Sequence, residues 1–437
     1  MATKRVLATI GVLSIGVVLA GCSGGGDSAN NTIDGTPEGE ITVLTNRTDI
    51  VDTTFADYAA AFEEKYPDVT VNFEAITDYE GEVATRLNTD DYGDVLLIPN
   101  AVTKDQLAGF FEPLGTVEEL SEQYRFLTEQ AFGEDTYGIT ITGNAQGIAY
   151  NKKIWEAAGV TDWPTTPDEF LADLTAIQDS TDAIPYYTNY ADAWPLSQWD
   201  ANRALTGNAD ATVDLVSMDE PWSEDSGDSH YIQDSLLFDI VNQGLSEPDP
   251  LTTNWEESKN LLGSGQVASM LLGSWSITQL QEAAEAAGGS AEDIGYMPFP
   301  YEVDGTFYSS ISGDYENGIN VNSENKAAAW AWIEWFANES GYAAENGGLS
   351  PLVDGESPST LADFETEGVE YVEVAALPAD QATLETDIAS AAEIDLTGGV
   401  YRQELVDVAR GAADGTKESF FDDLNTRWAE ARAQFAR

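Results

Sequence analysis

A single thiol and a single imidazole bound the covalent chemistry open to this chain. Cys22 is its only cysteine and His230 its only histidine among 437 residues. One cysteine excludes a disulfide within the chain. One of each excludes a zinc cluster, which draws its ligands mostly from Cys and His. A Ser-His-Asp triad would have to use His230. That residue follows the acidic stretch Asp219 to Asp228, which reads as a solvated surface loop, and no Gly-x-Ser-x-Gly precedes a helix there. The carboxylates of 219–228 could meet a calcium ion, but the EF-hand order with its central glycine is absent. A glycoside hydrolase needs two carboxylates at a set separation, and among 78 acidic residues no pair stands out. No glycine-rich phosphate loop appears, and no cofactor is implied. The residues point to binding rather than catalysis.

The aromatic residues give that binding a direction. Sugars present apolar CH faces and rims of hydroxyls, so their sites pair flat rings with amide, carboxylate or guanidinium groups. Trp275 follows Gly273-Ser274 at the end of a buried apolar strand. A second concentration runs from Tyr186-Tyr187-Thr188-Asn189-Tyr190 to Trp194-Pro195-Leu196 and Trp199. Trp330, Trp332 and Trp335 lie on one helix and read as core.

Charge narrows the partners. Seventy-eight acids against 18 bases give a net charge of −60. Binding to nucleic acid or anionic lipid by charge attraction is excluded, and anionic ligands are repelled at long range. Peptide and polyamine ligands remain open. Hydrophobic residues make up 42% of the chain, with 11 Trp, 18 Tyr and 16 Phe, enough for a substantial core in two or three domains.

The elements that must position these residues alternate. Ile41–Thr45, Val69–Phe73 and Asp94–Ile98 read as strands, and Phe55–Tyr66 and Tyr79–Asn88 as helices. This alternation predicts an α/β fold with a largely parallel sheet covered on both faces, and argues against the repeats or β-sandwich of an adhesin. Thr166-Pro167-Asp168-Glu169 has the N-cap, N1 proline and N3 acid of a helix start. Lys417–Phe435 reads as a long amphipathic helix.

The N-terminus is read separately. Lys4 and Arg5 precede an uncharged run from Val6 to Leu19, too short for a comfortable membrane span. Leu19-Ala20-Gly21-Cys22 resembles a bacterial lipobox, which implies cleavage after residue 21 and lipidation of Cys22. Loss of residues 1–21 removes two bases and no acid, taking the net charge from −60 to −62. Residues 22–39 read as a flexible tether.

Several blocks in order resemble the extracellular solute-binding proteins of ABC importers, in the sugar-binding, maltose-binding-protein-like group. They are Phe62-Glu63-Glu64-Lys65-Tyr66-Pro67-Asp68-Val69; Gly93-Asp94-Val95; Gly147-Ile148-Ala149-Tyr150-Asn151 through Trp155, Gly159 and Pro164 to Phe170; Gly265-Gln266-Val267-Ala268-Ser269-Met270 with Gly273-Ser274-Trp275; and Asn317-Gly318-Ile319-Asn320-Val321 with Asn325 to Trp330. The resemblance covers roughly residues 40–435. It implies a two-lobed, type II periplasmic-binding-protein-like fold with hinged lobes and a cleft between them. Lobe 1 would be 40–141 plus 313–355, and lobe 2 would be 142–310 plus 360–437. Hinges would fall near Thr140 to Asn144, near Ser309 to Asp314 and beyond Pro351.

The resemblance also implies where ligand contacts lie. Trp275 would stack on the ligand, and Tyr190 and Trp194 would line the second-lobe loop. Asn46, Arg47 and Asp49 follow the first strand, and Asn100 follows the third. Asn144, Gln146, Asp314 and Tyr315 stand at the crossings. Thr142-Gly143-Asn144 replaces the acidic residue the family's best-studied members carry after the strand ending at Ile141. The expected protein is a monomeric, lipid-anchored carbohydrate receptor on the outer face of the cell membrane. It would deliver a mono- or oligosaccharide to the transmembrane subunits of an ABC permease.

Overall fold

The computed structural model describes residues 31–435. The expected signal peptide 1–21, Cys22 and the first part of the tether lie outside the described residues. From Asn31 the chain is already docked. The Asn31 amide donates to the Ser323 carbonyl at 2.7 Å and accepts from the Lys326 N–H at 3.1 Å, while Ile33 packs against the first core. The part of the tether within 31–39 is therefore held against the folded body.

The first sheet has five strands in the order Val69–Ala75, Gly39–Thr45, Val95–Leu97, Glu316–Ile319, Ile139–Thr140. The first three run parallel, with Gly39 opposite Val69 and Thr45 opposite Ala75. Helix Thr54–Lys65 supplies the crossover that parallel neighbours require. Its Phe55, Tyr58 and Phe62 recur at spacings of three and four and are buried. The Phe62 ring meets Trp332 of helix Lys326–Glu339 edge-on, with centroids 5.2 Å apart.

The second sheet is built around the long strand Gly143–Asn151. It is antiparallel to Ser269–Gly273, to Ile294–Met297 and to Thr306–Gly313. Glu370–Glu373 joins in parallel, beside residues 308–311. The expectation of a largely parallel sheet thus describes three strands of the first sheet and not the second. Alternation of apolar residues marks a strand without specifying its partner's direction. Each return across the molecule adds a strand running the opposite way. Period two sorts the second sheet's faces: Ile148, Leu271 and Met297 enter one core, and Ala149, Met270, Leu272 and Tyr296 the other.

Two of the crossings between the sheets, near residues 142 and 314, are bonded to each other. The Ile141 N–H donates to the Tyr315 carbonyl at 2.9 Å, and the Asp314 N–H to the Thr142 carbonyl at 2.8 Å. Gly143 pairs with Leu349 through two backbone bonds of 2.8 and 2.7 Å. A Cβ on Gly143 would lie 2.5 Å from the Phe126 ring, so only glycine fits here. Phe126 and Leu349 both pack into the second sheet's core, although they come from stretches assigned by sequence to the first lobe.

Candidate functional site

Strand Ser269–Gly273 comes back toward the crossings and ends in the turn that carries Trp275. Ser274 fixes that turn: its Oγ accepts from the Ala145 N–H at 3.0 Å and lies 3.4 Å from Asn144 Oδ1. The half-buried Trp275 ring meets two others. Its centroid is 5.8 Å from Trp194 and 5.4 Å from Trp255, and those two are 5.9 Å apart. The interplanar angles of 45°, 69° and 79° make a corner rather than a stack. Trp194 is 36% exposed and leaves an apolar face open to solvent.

The backbone works to hold this corner. Asn189 and Ala193 have positive φ of 55° and 61°. For alanine such a conformation costs on the order of 1–3 kcal/mol and persists only where packing imposes it. Asp192 accepts from the Trp255 N–H at 2.6 Å, and Asn254 caps the same helix through the Glu257 N–H at 2.8 Å. The Lys259 ammonium sits 5.2 Å from the Trp255 ring centroid. A polar strip runs beside the corner. Asn144 stands opposite Ser312, and Gln146 opposite Gly273. The Trp275 indole Nε1 lies 3.4 Å from Gln198 Oε1, and the buried Oε1 of Gln146 has no partner.

At the strand ends of the first sheet, the Arg47 guanidinium makes four hydrogen bonds. Its Nε and Nη2 grip the two oxygens of Asp49 at 2.9 and 2.8 Å, and its Nη1 donates to Tyr342 Oη and Asn346 Oδ1, both at 2.9 Å. The Arg47 hydrogen bond holds the Asp49 carboxyl below its usual range. Asn46 is half-buried beside this pair. Asn100 is exposed, and its backbone and side-chain N–H groups donate to the two oxygens of Glu80 at 3.0 and 3.1 Å. Tyr315 packs edge-on to Tyr79 at 6.3 Å. Burial and then Glu80 push its hydroxyl up to about 12. Asp314, at the crossing, is an exposed residue, yet the surrounding protein desolvates its carboxyl and pushes it up.

Two α/β bodies joined by paired crossings, with polar loops on one and an aromatic corner on the other, match a known family. Residues 47–343 fit the bacterial extracellular solute-binding protein family. The chain belongs to it. This solute-binding protein has the two-lobed type II periplasmic-binding-protein fold, and membership of an extracellular family puts it outside the cytoplasmic membrane. It is 34% identical to BlMnBP1 of Bifidobacterium animalis subsp. lactis, a binding protein of an ABC transporter solved with mannobiose. The match covers 91% of this chain and 95% of that one, with a TM-score of 0.77. The manno-oligosaccharide specific BlMnBP2 of the same organism, solved with mannotriose, is 31% identical over 91% and 95% of the two chains, with a TM-score of 0.77. The multiple sugar-binding protein of Streptococcus mutans is 21% identical over 339 residues, 75% of this chain and 78% of its own.

The solute-binding protein departs from its sequence reading at several side chains. Tyr190 is not brought to the tryptophans. Its hydroxyl lies 3.0 Å from Asp407 Oδ1, its ring lies 5.7 Å from the Arg410 guanidinium, and its carbonyl accepts from Gln403 at 2.7 Å. Ala193, with its positive φ, stands between it and Trp194, and Tyr190 braces helix Val400–Ala409. Arg47 and Asp49 are largely spent on each other and on the Tyr342–Asn346 segment.

His230 is not on a surface loop. It is 1% exposed in the first turn of helix Ser229–Asn242, with Nδ1 2.7 Å from Asp228 and Nε2 2.9 Å from Asp200. Burial opposes its charge, but the two carboxylates outweigh burial and hold the imidazole up at about 9. The 219–228 stretch is not simply a solvated loop, because Pro221, Trp222 and Asp228 are buried.

Sequence reasoning missed Trp255, although Asn254 three residues before Glu257 is a capping signal that places Trp255 at a helix start. It also missed Glu80, which draws Asn100 and Tyr315 together, and Glu129 and Glu316, two carboxyls that meet beside Gly313.

Proposed function

We propose that this protein is the carbohydrate receptor of an ABC importer. It closes its lobes, 40–141 plus 313–355 and 142–310 plus 360–437, around a mono- or oligosaccharide and presents the closed form to the permease. Closure follows from tighter binding of sugar to the closed state. One observation carries the reading: the open corner of Trp194, Trp255 and Trp275 beside the amides of Asn144, Gln146 and Gln198. Flat rings take the CH faces of a sugar, and amides take its hydroxyls. The saccharides bound by the two Bifidobacterium relatives support the same choice.

In this reading Asn46, Arg47, Asp49, Asn100, Asp314 and Tyr315 face the ligand from the first lobe and the crossings. No chemistry is done on the ligand. The relatives are binding proteins, and the only histidine is locked between two buried carboxylates. The protein works as a monomer, held by lipid on Cys22 at the outer face of the membrane. No helix among the described residues is long and apolar enough to cross a membrane.

Thermal unfolding in the presence of mannobiose, mannotriose, raffinose, a peptide mixture and spermidine tests the ligand class. A ligand that binds only the native state stabilises it by about 2.7 kcal/mol at 100 times its Kd. The receptor reading expects the melting temperature to rise with a saccharide. A rise only with peptide or spermidine overturns it, and sugar hydrolysis in the same samples would establish an enzyme instead.

A further inference from the structure

We propose that Gln146 determines which hydroxyl pattern the site accepts, by hydrogen-bonding through its carboxamide to the sugar unit seated against Trp275. This rests on the carbohydrate reading above. Gln146 is 5% exposed, and its Oε1 is buried with no partner. Native proteins rarely leave such a group unpaired, and an exception calls for a missing partner. Apolar residues of similar size would fill the position without that cost.

The location says what the partner is. Along strand Gly143–Asn151, alternate side chains share a face. On this face Asn144 lies at the crossing, Gln146 comes next, and Ile148 is already in the core. Gln146 is the last polar group before the apolar interior. Directly across the ladder is Gly273. The point where a Cβ on Gly273 would sit is 2.7 Å from the Trp275 Nε1 and 3.5 Å from Gln146 Oε1. The indole edge and the unpaired carbonyl therefore share one small space above Gly273. Gln198, the other amide at this edge, already faces the indole N–H. A carboxamide both donates and accepts, which suits a pair of neighbouring hydroxyls. A site built to hydrogen-bond a hydroxyl strongly rejects the analogue that lacks it.

The test takes the tightest binder among mannobiose, mannotriose and raffinose, together with its monodeoxy analogues, and measures affinity by titration calorimetry. Wild type should bind one analogue at least tenfold more weakly than the parent sugar. In Gln146→Leu, the parent should fall to the affinity of that analogue, so the preference disappears while discrimination at other hydroxyls survives. Gln146→Glu, which keeps the shape and an acceptor, should retain the preference and guards against a leucine variant that fails to fold. An unchanged preference in the leucine variant overturns the proposal. So does a uniform loss across all analogues, which would mean that Gln146 only props Trp275. If wild type binds none of the three sugars, the receptor reading fails and this proposal falls with it.

Discussion

The indole of Trp275 lies across Gly273, close enough that a Cβ on the glycine would sit 2.7 Å from both Cδ1 and Nε1 of the ring. Gly273 has φ −63° and ψ 158°, which any residue adopts. Its lack of a side chain thus serves the ring and not the backbone. Gly273→Ala should push the indole out of its place, cutting sugar affinity by roughly tenfold or more and leaving the fold intact, since overpacking here costs about 1–3 kcal/mol. Titration calorimetry alongside a urea melt separates the two effects. Undiminished affinity would show that the indole's present position does not matter to the ligand.

Trp275 and Trp332 should behave as opposites. Trp275→Ala should weaken sugar binding by about 1–3 kcal/mol with little loss of stability, as removal of a central aromatic anchor does. Trp332 is 1% exposed and packs against Phe62, Phe73 and Phe336. Trp332→Ala should destabilise by about 3–5 kcal/mol. Chemical denaturation of both variants checks the contrast.

Glu129 and Glu316 make the protein sensitive to alkali near neutrality. Glu129 accepts from the Gly313 N–H at 2.7 Å, while Glu316 Oε1 is buried without a partner. Both flank a Gly313 Cβ position, at 3.2 and 3.0 Å. Burial, and for Glu316 the neighbouring Glu129 charge, push both carboxyls up. Glu247, buried against Thr188, is pushed up to about 7 by burial. A carboxyl with a raised pKa binds its proton more tightly when folded. Its contribution is full below about 4.5, the unfolded value, and is lost as pH climbs through its folded value. Stability by urea should therefore fall between pH 5 and pH 8, and Glu316→Gln should flatten that fall. An unaltered slope in the variant would remove the pair as its cause.

His230 adds a second, higher window. Its imidazole is raised to about 9, so its stabilisation is complete below about 6.5 and lost as pH rises through 9. Asp200 runs the other way. Burial alone would raise it, but Arg203, His230 and Arg402 hold it well below the usual carboxylate range, so its contribution disappears only in strong acid. His230→Gln leaves Asp228 buried without its cation, while Asp200 keeps Arg203 and Arg402, and should cost about 3–5 kcal/mol. A loss under 1 kcal/mol would show that the carboxylates find other partners.

Salt should stabilise this protein. A net charge of −60 drives self-repulsion that a Debye length of about 10 Å at 0.1 M screens only partly. Raising NaCl toward 1 M should raise the melting temperature. A flat response would mean that the acids are neutralised by arrangement rather than by ions.

Local signals were legible before any coordinates. Period-two and period-three-to-four patterns marked strands Gly39–Thr45 and Val69–Ala75 and helices Thr54–Lys65 and Lys417–Phe435. Thr166 does cap helix Pro167–Ser180 through the Glu169 N–H at 3.2 Å. The ordered blocks gave the two-lobed fold class and the family. All of this depends on residues a few positions apart, where backbone geometry converts spacing directly into direction.

Only the tertiary structure decided the rest. It brought Trp255 to Trp194 and Trp275, and Glu129 to Glu316, across 61 residues or more of chain in each case except Trp255 with Trp275. It also turned Tyr190 onto Asp407, sealed His230 between two aspartates, and left the Gln146 Oε1 without a partner. None of these has a local period. Each depends on which strands lie side by side and where the chain crosses between lobes, and that is settled by the packing of the whole.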